Sequence, residues 1–222
     1  MPFWLQLMWD SLGPLLWAAI KFTAPLTLIS FALGLSLGLL TALVRMFAPK
    51  PFALVARFYV WIFRGTPLLV QLFLIFYGLP SAGIVLDAFT AAVIGFTLNV
   101  GAYTSEIIRA VIASVPRGQW DAARALGFRF LPVLFLVVLP QAVRMVIPPL
   151  TNRTIAITKG TALASVVGVS EILGAAQSSM AFSANPTPLT LGAIAYAILF
   201  LPVVGLGRWI ERRFTLGRTG SA

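Results

Sequence analysis

Six carboxylates, sixteen lysines and arginines, no histidine and no cysteine are all that this 222-residue chain offers for charge-based chemistry. Lacking imidazole, it lacks the commonest general base, proton shuttle and metal ligand. Lacking thiols, it can form neither disulfides nor thiolate metal sites. No glycine-rich phosphate loop occurs, so nucleotide is not expected on this chain. We expect no catalytic residue and no metal, and look instead for polar groups placed where a bilayer makes them costly. Asn99, Tyr103 and Glu106 stand at i, i+4 and i+7 of one apolar stretch, with Arg109 a turn further. Such groups inside a span mark a pathway more often than a lipid face, although Glu106 and Arg109, three apart, can also simply pair. Arg64 lies in another apolar stretch, where it either snorkels to the surface or needs a partner.

The elements that must position these residues are membrane helices. Hydrophobic residues make up 59% of the chain, and several apolar runs approach the twenty residues a bilayer demands. Spans are expected at about 22–44, 58–79, 89–113, 147–169 and 189–206, the second weakened at Arg64-Gly65-Thr66-Pro67 and the fourth bent at Pro148-Pro149. Residues 1–20, with Trp4, Trp9, Trp17, Gly13 and Pro14, are expected as an interfacial N-terminal segment. Segments 80–88 and 174–188 contain no lysine or arginine and are expected as outer loops, with Glu171 near the outer surface. Ser30, Gly34, Gly38 and Ala42 recur every four residues, a smooth ridge suited to packing within the chain or to a dimer seam.

The net charge of +10 follows from topology and needs no nucleic acid. Arg45, Lys50, Arg57, Arg109, Arg117, Arg124, Arg129, Arg208, Arg212, Arg213 and Arg218 all fall on one side of this arrangement. The positive-inside rule then puts the N-terminus outside and the C-terminus in the cytoplasm.

Residues 116–140 hold the most cationic internal segment. A short helix is expected over 119–126, ended by Gly127 in the left-handed region. Trp120, Ala123 and Leu126 share one side, with Asp121 and Arg124 on the polar side. Asp121-Ala122-Ala123, then Gly127, Val137 and Leu139-Pro140, resemble the loop shared by membrane subunits of binding-protein-dependent ABC importers. That loop reads Glu-Ala-Ala, three residues, Gly, nine residues, Ile, one residue, Leu-Pro; Asp replaces Glu here and Val replaces Ile. Arg64-Gly65-Thr66-Pro67-Leu68-Leu69-Val70-Gln71 and Ala102-Tyr103-Thr104-Ser105-Glu106-Ile107-Ile108-Arg109 are similar to the polar amino acid branch, the histidine, glutamine, glutamate, arginine and opine type. Lys159-Gly160-Thr161-Ala162-Leu163 stands where that branch has Lys-Asp-Thr-Ser-Leu.

The resemblance implies an all-α polytopic membrane protein of about five transmembrane helices with the ABC importer type I permease fold. It forms a single permease domain in the bacterial cytoplasmic (inner) membrane. It implies partner ABC ATPases that carry the ATP and Mg, a second permease subunit, identical or not, and an external solute-binding protein delivering a polar amino acid. Gln119, Trp120, Asp121, Ala122, Ala123, Arg124, Gly127, Leu139 and Pro140 would then dock the ATPase. Arg64, Thr66, Gln71, Asn99, Tyr103, Glu106, Lys159, Thr161 and Glu171 would line the route. The rival class is an ion-coupled secondary transporter, which would call for internal repeats or a proton relay; few carboxylates, no histidine and no evident repeat speak against it.

Overall fold

The computed structural model describes residues 2–215, which are helical almost throughout. Eight helical elements carry the fold: α1 (Phe3–Phe47), α2 (Lys50–Gly65), α3 (Leu68–Ala82), α4 (Ala88–Ser114), α5 (Arg117–Ala125), α6 (Phe130–Val167), α7 (Ile172–Ser183) and α8 (Thr187–Arg213). α1, α4, α6 and α8 are long and apolar enough to cross a membrane singly, and α2 and α3, bent by 109° where they meet, are long and apolar enough only as a pair. The bend falls at the expected Gly65-Thr66-Pro67 break.

Some prolines stand at helix ends, as Pro49, Pro67 and Pro116 do, but others follow a widened turn. Three π turns, Ala19–Thr23, Leu74–Gly78 and Val133–Val138, each stop two residues before a proline: Pro25, Pro80 and Pro140. A proline has no N–H for the carbonyl four residues back, and its ring pushes that carbonyl away. A widened turn absorbs both effects without leaving the helix. In hydrocarbon, where a frayed backbone finds no water, that is the cheaper outcome.

This continuity corrects several expectations. Residues 1–20 are no separate surface segment. Residues 3–20 are the first turns of the 45-residue α1, and Ser11, Leu15 and Ala18 are buried there, Leu15 against Ile172 and Ala176 of α7 and Leu191 of α8. At 1.5 Å per residue such a rod is about 65 Å long, twice the hydrocarbon core. The fourth long helix begins at Phe130 rather than near 147, running through Pro140, Pro148 and Pro149. Most of the expected outer loop 174–188 is the helix α7. Arg218 lies outside the described residues.

The small-residue ridge of α1 packs within the chain. Ser30, Gly34, Gly38 and Ala42 are all buried; a Cβ on Gly34 would stand 2.5 Å from Val100 Cβ, and one on Gly38 2.6 Å from Thr104 Cβ. Around this seam Leu26, Leu72, Phe96, Val100, Ile157, Ala164 and Val167 form the main apolar core, joining α1, α3, α4 and α6. A second core lies at the α5 end, where Ala123 packs with Ile112, Val115, Val133 and Val138.

Candidate functional site

Two places gather the chemistry. The first begins at the break between α2 and α3, where Pro67 has no N–H to offer the Phe63 carbonyl and the carbonyls of Phe63 and Thr66 are left for side chains to satisfy. Gln71 recovers them: its Nε2 donates to Phe63 O at 2.9 Å, Thr66 O at 3.0 Å and Thr66 Oγ1 at 2.9 Å. Asn99 on α4 continues the chain, its Nδ2 donating to Gln71 Oε1 at 3.0 Å and to Phe63 O at 3.4 Å. Arg153 on α6 then donates from Nη2 to Asn99 Oδ1 at 2.5 Å. The carbon centre of its guanidinium lies 4.3 Å from the Tyr103 ring centroid, and that of Arg64 lies 5.4 Å from the same ring.

Beside this network opens a cavity of about 300 Å³, lined by Thr66, Pro67, Leu68, Phe96, Asn99, Tyr103, Arg153, Ala156, Ile157, Gly160 and Leu163. A turn further along α4, Glu106 Oε2 accepts from Arg45 Nη1 at 2.7 Å, and Arg64 Nη1 lies 3.8 Å away. Arg109 adds a Nε bond of 3.1 Å to Oε1 and a second from Nη2. The expected Glu106–Arg109 pair therefore forms within a cluster of one acid and three arginines.

Of the nine residues expected along a route, Thr66, Asn99 and Tyr103 line the cavity. Gln71 bonds to Asn99 in its wall, while Arg64 and Glu106 line a separate cavity with Arg45 and Arg57. The other three lie elsewhere. Lys159 is exposed, its Nζ 4.6 Å from the Phe200 ring centroid. Thr161 is fully buried and spends its hydroxyl on Thr158 O at 2.8 Å. Glu171 is enclosed, with an exposure of 0%. It caps α7 by accepting from Gly174 N at 2.9 Å and takes a hydrogen bond from the Tyr196 hydroxyl. Arg153 was not among the expected nine, though a lone arginine in an apolar stretch carries the same signal that singled out Arg64.

The second place is α5, between α4 and α6. Its end is the expected one. Gly127 has φ +83°, Phe128 N donates back to Ala123 O at 3.2 Å and Gly127 N to Arg124 O at 2.9 Å. This paired closure satisfies the last carbonyls and needs a residue that tolerates positive φ. Ala123 is buried and Trp120 half-buried, stacked 6.2 Å from Phe130, so these two face the chain's own core. Gln119, Asp121, Ala122, Arg124, Ala125 and Gly127 are exposed, and Gln119 Oε1 accepts from Gln141 Nε2 at 3.3 Å. Leu126, expected on the Trp120 side, instead lies 78% exposed. Leu139 and Pro140 stand inside α6, so residues 116–140 resolve into α5, a turn and the first turns of α6.

Residues 34–216 match the family model for the binding-protein-dependent transport system inner membrane component. The L-cystine transport system permease protein TcyB of Bacillus subtilis (strain 168) is 52% identical over 173 residues, 76% of this chain and 74% of that protein. The arginine transport system permease protein ArtQ of the same organism is 35% identical over 202 residues, 90% of this chain and 92% of that one. A crystal structure of an amino acid ABC transporter with histidines superposes with a TM-score of 0.89 at 36% identity, over 93% of this chain and 96% of its own. The inward-facing MetNI methionine ABC transporter shares the fold alone: TM-score 0.75, 20% identity, 90% of this chain and 98% of that one.

Proposed function

The chain belongs to the binding-protein-dependent transport system inner membrane component family, among the amino acid ABC transporter permeases, and we propose that it is the membrane subunit that carries a polar amino acid across the bacterial inner membrane on energy from partner ATPases. In this reading two permease subunits face each other, an external solute-binding protein delivers the amino acid, and the nucleotide with its Mg²⁺ stays on the ATPases. The N-terminus is outside and α5 is cytoplasmic, as the distribution of arginines favours. The solute passes by the cavity at Asn99, Tyr103 and Arg153.

One observation carries the coupling: α5 stands between two spans, rooted in its own chain through Ala123 and Trp120, and presents Asp121, Ala122, Arg124 and Leu126 outward. A rooted helix moves as a lever, so an ATPase that grips its outer face can displace α4 and α6 with it. ATP binding favours the outward state only through contacts that differ between the two states.

The outer face is separable from the inner one by mutation. Ala122→Asp and Leu126→Asp alter exposed positions, so the protein still inserts and folds. Each is expected to weaken ATPase retention by about thirtyfold, as loss of roughly 2 kcal/mol at an interface anchor implies. Copurification of the ATPase with each variant, alongside uptake of labelled amino acid, measures this. Full retention and normal uptake in both variants would remove α5 from the coupling.

A further inference from the structure

Arg153 is a cation without a counter-ion. It bonds Asn99 Oδ1 through Nη2, rests on the Tyr103 ring, and leaves Nε buried without a partner. No ion pair to it exists among the described residues. Glu106, the acid further along the same face of α4, is already held by Arg45, Arg64 and Arg109. A guanidinium offers five donors in a planar fork that matches a carboxylate, and an unpaired charge inside a span is costly unless something brings the opposite one. The cavity beside Arg153 supplies the space, and its remaining wall, Thr66, Phe96, Asn99, Ala156 and Leu163, is neutral.

We propose that Arg153 is the anchor for the solute's carboxylate, and that the uncompensated positive charge around it makes the cavity prefer zwitterionic or acidic amino acids to cationic ones. The proposal rests on the reading of this cavity as the solute's route. Stacking on Tyr103 and the bond to Asn99 already fix the guanidinium, so little side-chain freedom remains to be lost when a carboxylate arrives. Arg64, 5.4 Å from the same ring, adds a second positive charge. A solute with a cationic side chain would meet both and find no acid in the wall to offset them.

The chain has no cysteine, so Ala156→Cys places a single thiol in the cavity wall. Its alkylation rate in the purified permease, reconstituted in lipid, reports occupancy. Glutamine and glutamate are expected to slow the labelling, lysine to need about tenfold more, and 4-aminobutanamide, which is glutamine without its α-carboxylate, to have no effect. Adding Arg153→Gln is expected to raise the half-protecting glutamine concentration roughly 10- to 100-fold, as loss of a charge-assisted hydrogen bond implies, with Arg153→Lys in between. An unchanged alkylation rate without solute shows that these variants keep the cavity. Equal protection by 4-aminobutanamide, or protection unaltered by Arg153→Gln, overturns the anchor while leaving the route in place. If no amino acid protects the thiol at all, the route falls and the anchor with it.

Discussion

Glu106 holds three arginines, and the balance of that cluster is where single side chains matter most. Arg45 has a side-chain exposure of 12% and its Nε is buried without a partner, so Glu106 Oε2 supplies its main compensation. Glu106→Gln should therefore lower thermal stability in detergent, and Arg45→Gln should do the same. The double variant should cost less than the sum of the two, by about 2 kcal/mol, since contacting charges couple on that scale. Strict additivity would mean that Arg45 and Glu106 do not depend on each other. The spacing of Asn99, Tyr103 and Glu106 along one helix was enough to group them, because helical periodicity is a local property. Burial is not local. Glu171 and Thr161 are enclosed by α7 and α8, which follow them in the chain, and nothing near either residue announces that enclosure.

Among the elements, the seam between α1 and α4 depends on two glycines more than on any apolar side chain. A Cβ added at Gly38 would stand 2.6 Å from Thr104 Cβ and 3.0 Å from the Gly101 carbonyl oxygen, too close for either to yield without the helices parting. Gly38→Ala is expected to cost about 1–3 kcal/mol, the range for overpacking a filled interface. Thermal unfolding of the purified variant measures it, and a midpoint equal to that of the parent would show that the seam has slack. The period-four ridge made this contact visible in the sequence, although it left the partner helix open. The apolar runs likewise located the four long helices and the bent α2–α3 pair. The helix ends they misplace lie at Pro14, Pro140 and Pro148-Pro149, which the helices run through. At Pro25 and Pro140 a single widened turn absorbs the missing donor and the helix goes on, whereas at Pro80 it passes into a 3-10 turn that ends at Ala82.

At the scale of the whole molecule, the long rod α1 ties the first residues to the last third of the chain. Thr23 Oγ1 accepts from Ile172 N across 149 positions, and Leu15 packs with Leu191. No pattern within residues 1–20 encodes such a contact, which is why that segment read as a surface piece. With α2 and α3 together counted as one crossing, α5 and the start of α1 lie on opposite faces of the bundle. The short segment after α3 carries no lysine or arginine, whereas Arg117, Arg124 and Arg129 crowd the α5 side, and by the positive-inside rule the α5 side is expected in the cytoplasm. With no native cysteine to interfere, Ser81→Cys and Gly118→Cys each give one exposed thiol, on opposite sides of this arrangement. In intact cells a membrane-impermeant maleimide is expected to label Ser81→Cys, and to reach Gly118→Cys only after the inner membrane is opened. Labelling of Gly118→Cys in intact cells would turn the bundle over and place α5 where no cytoplasmic ATPase could grip it.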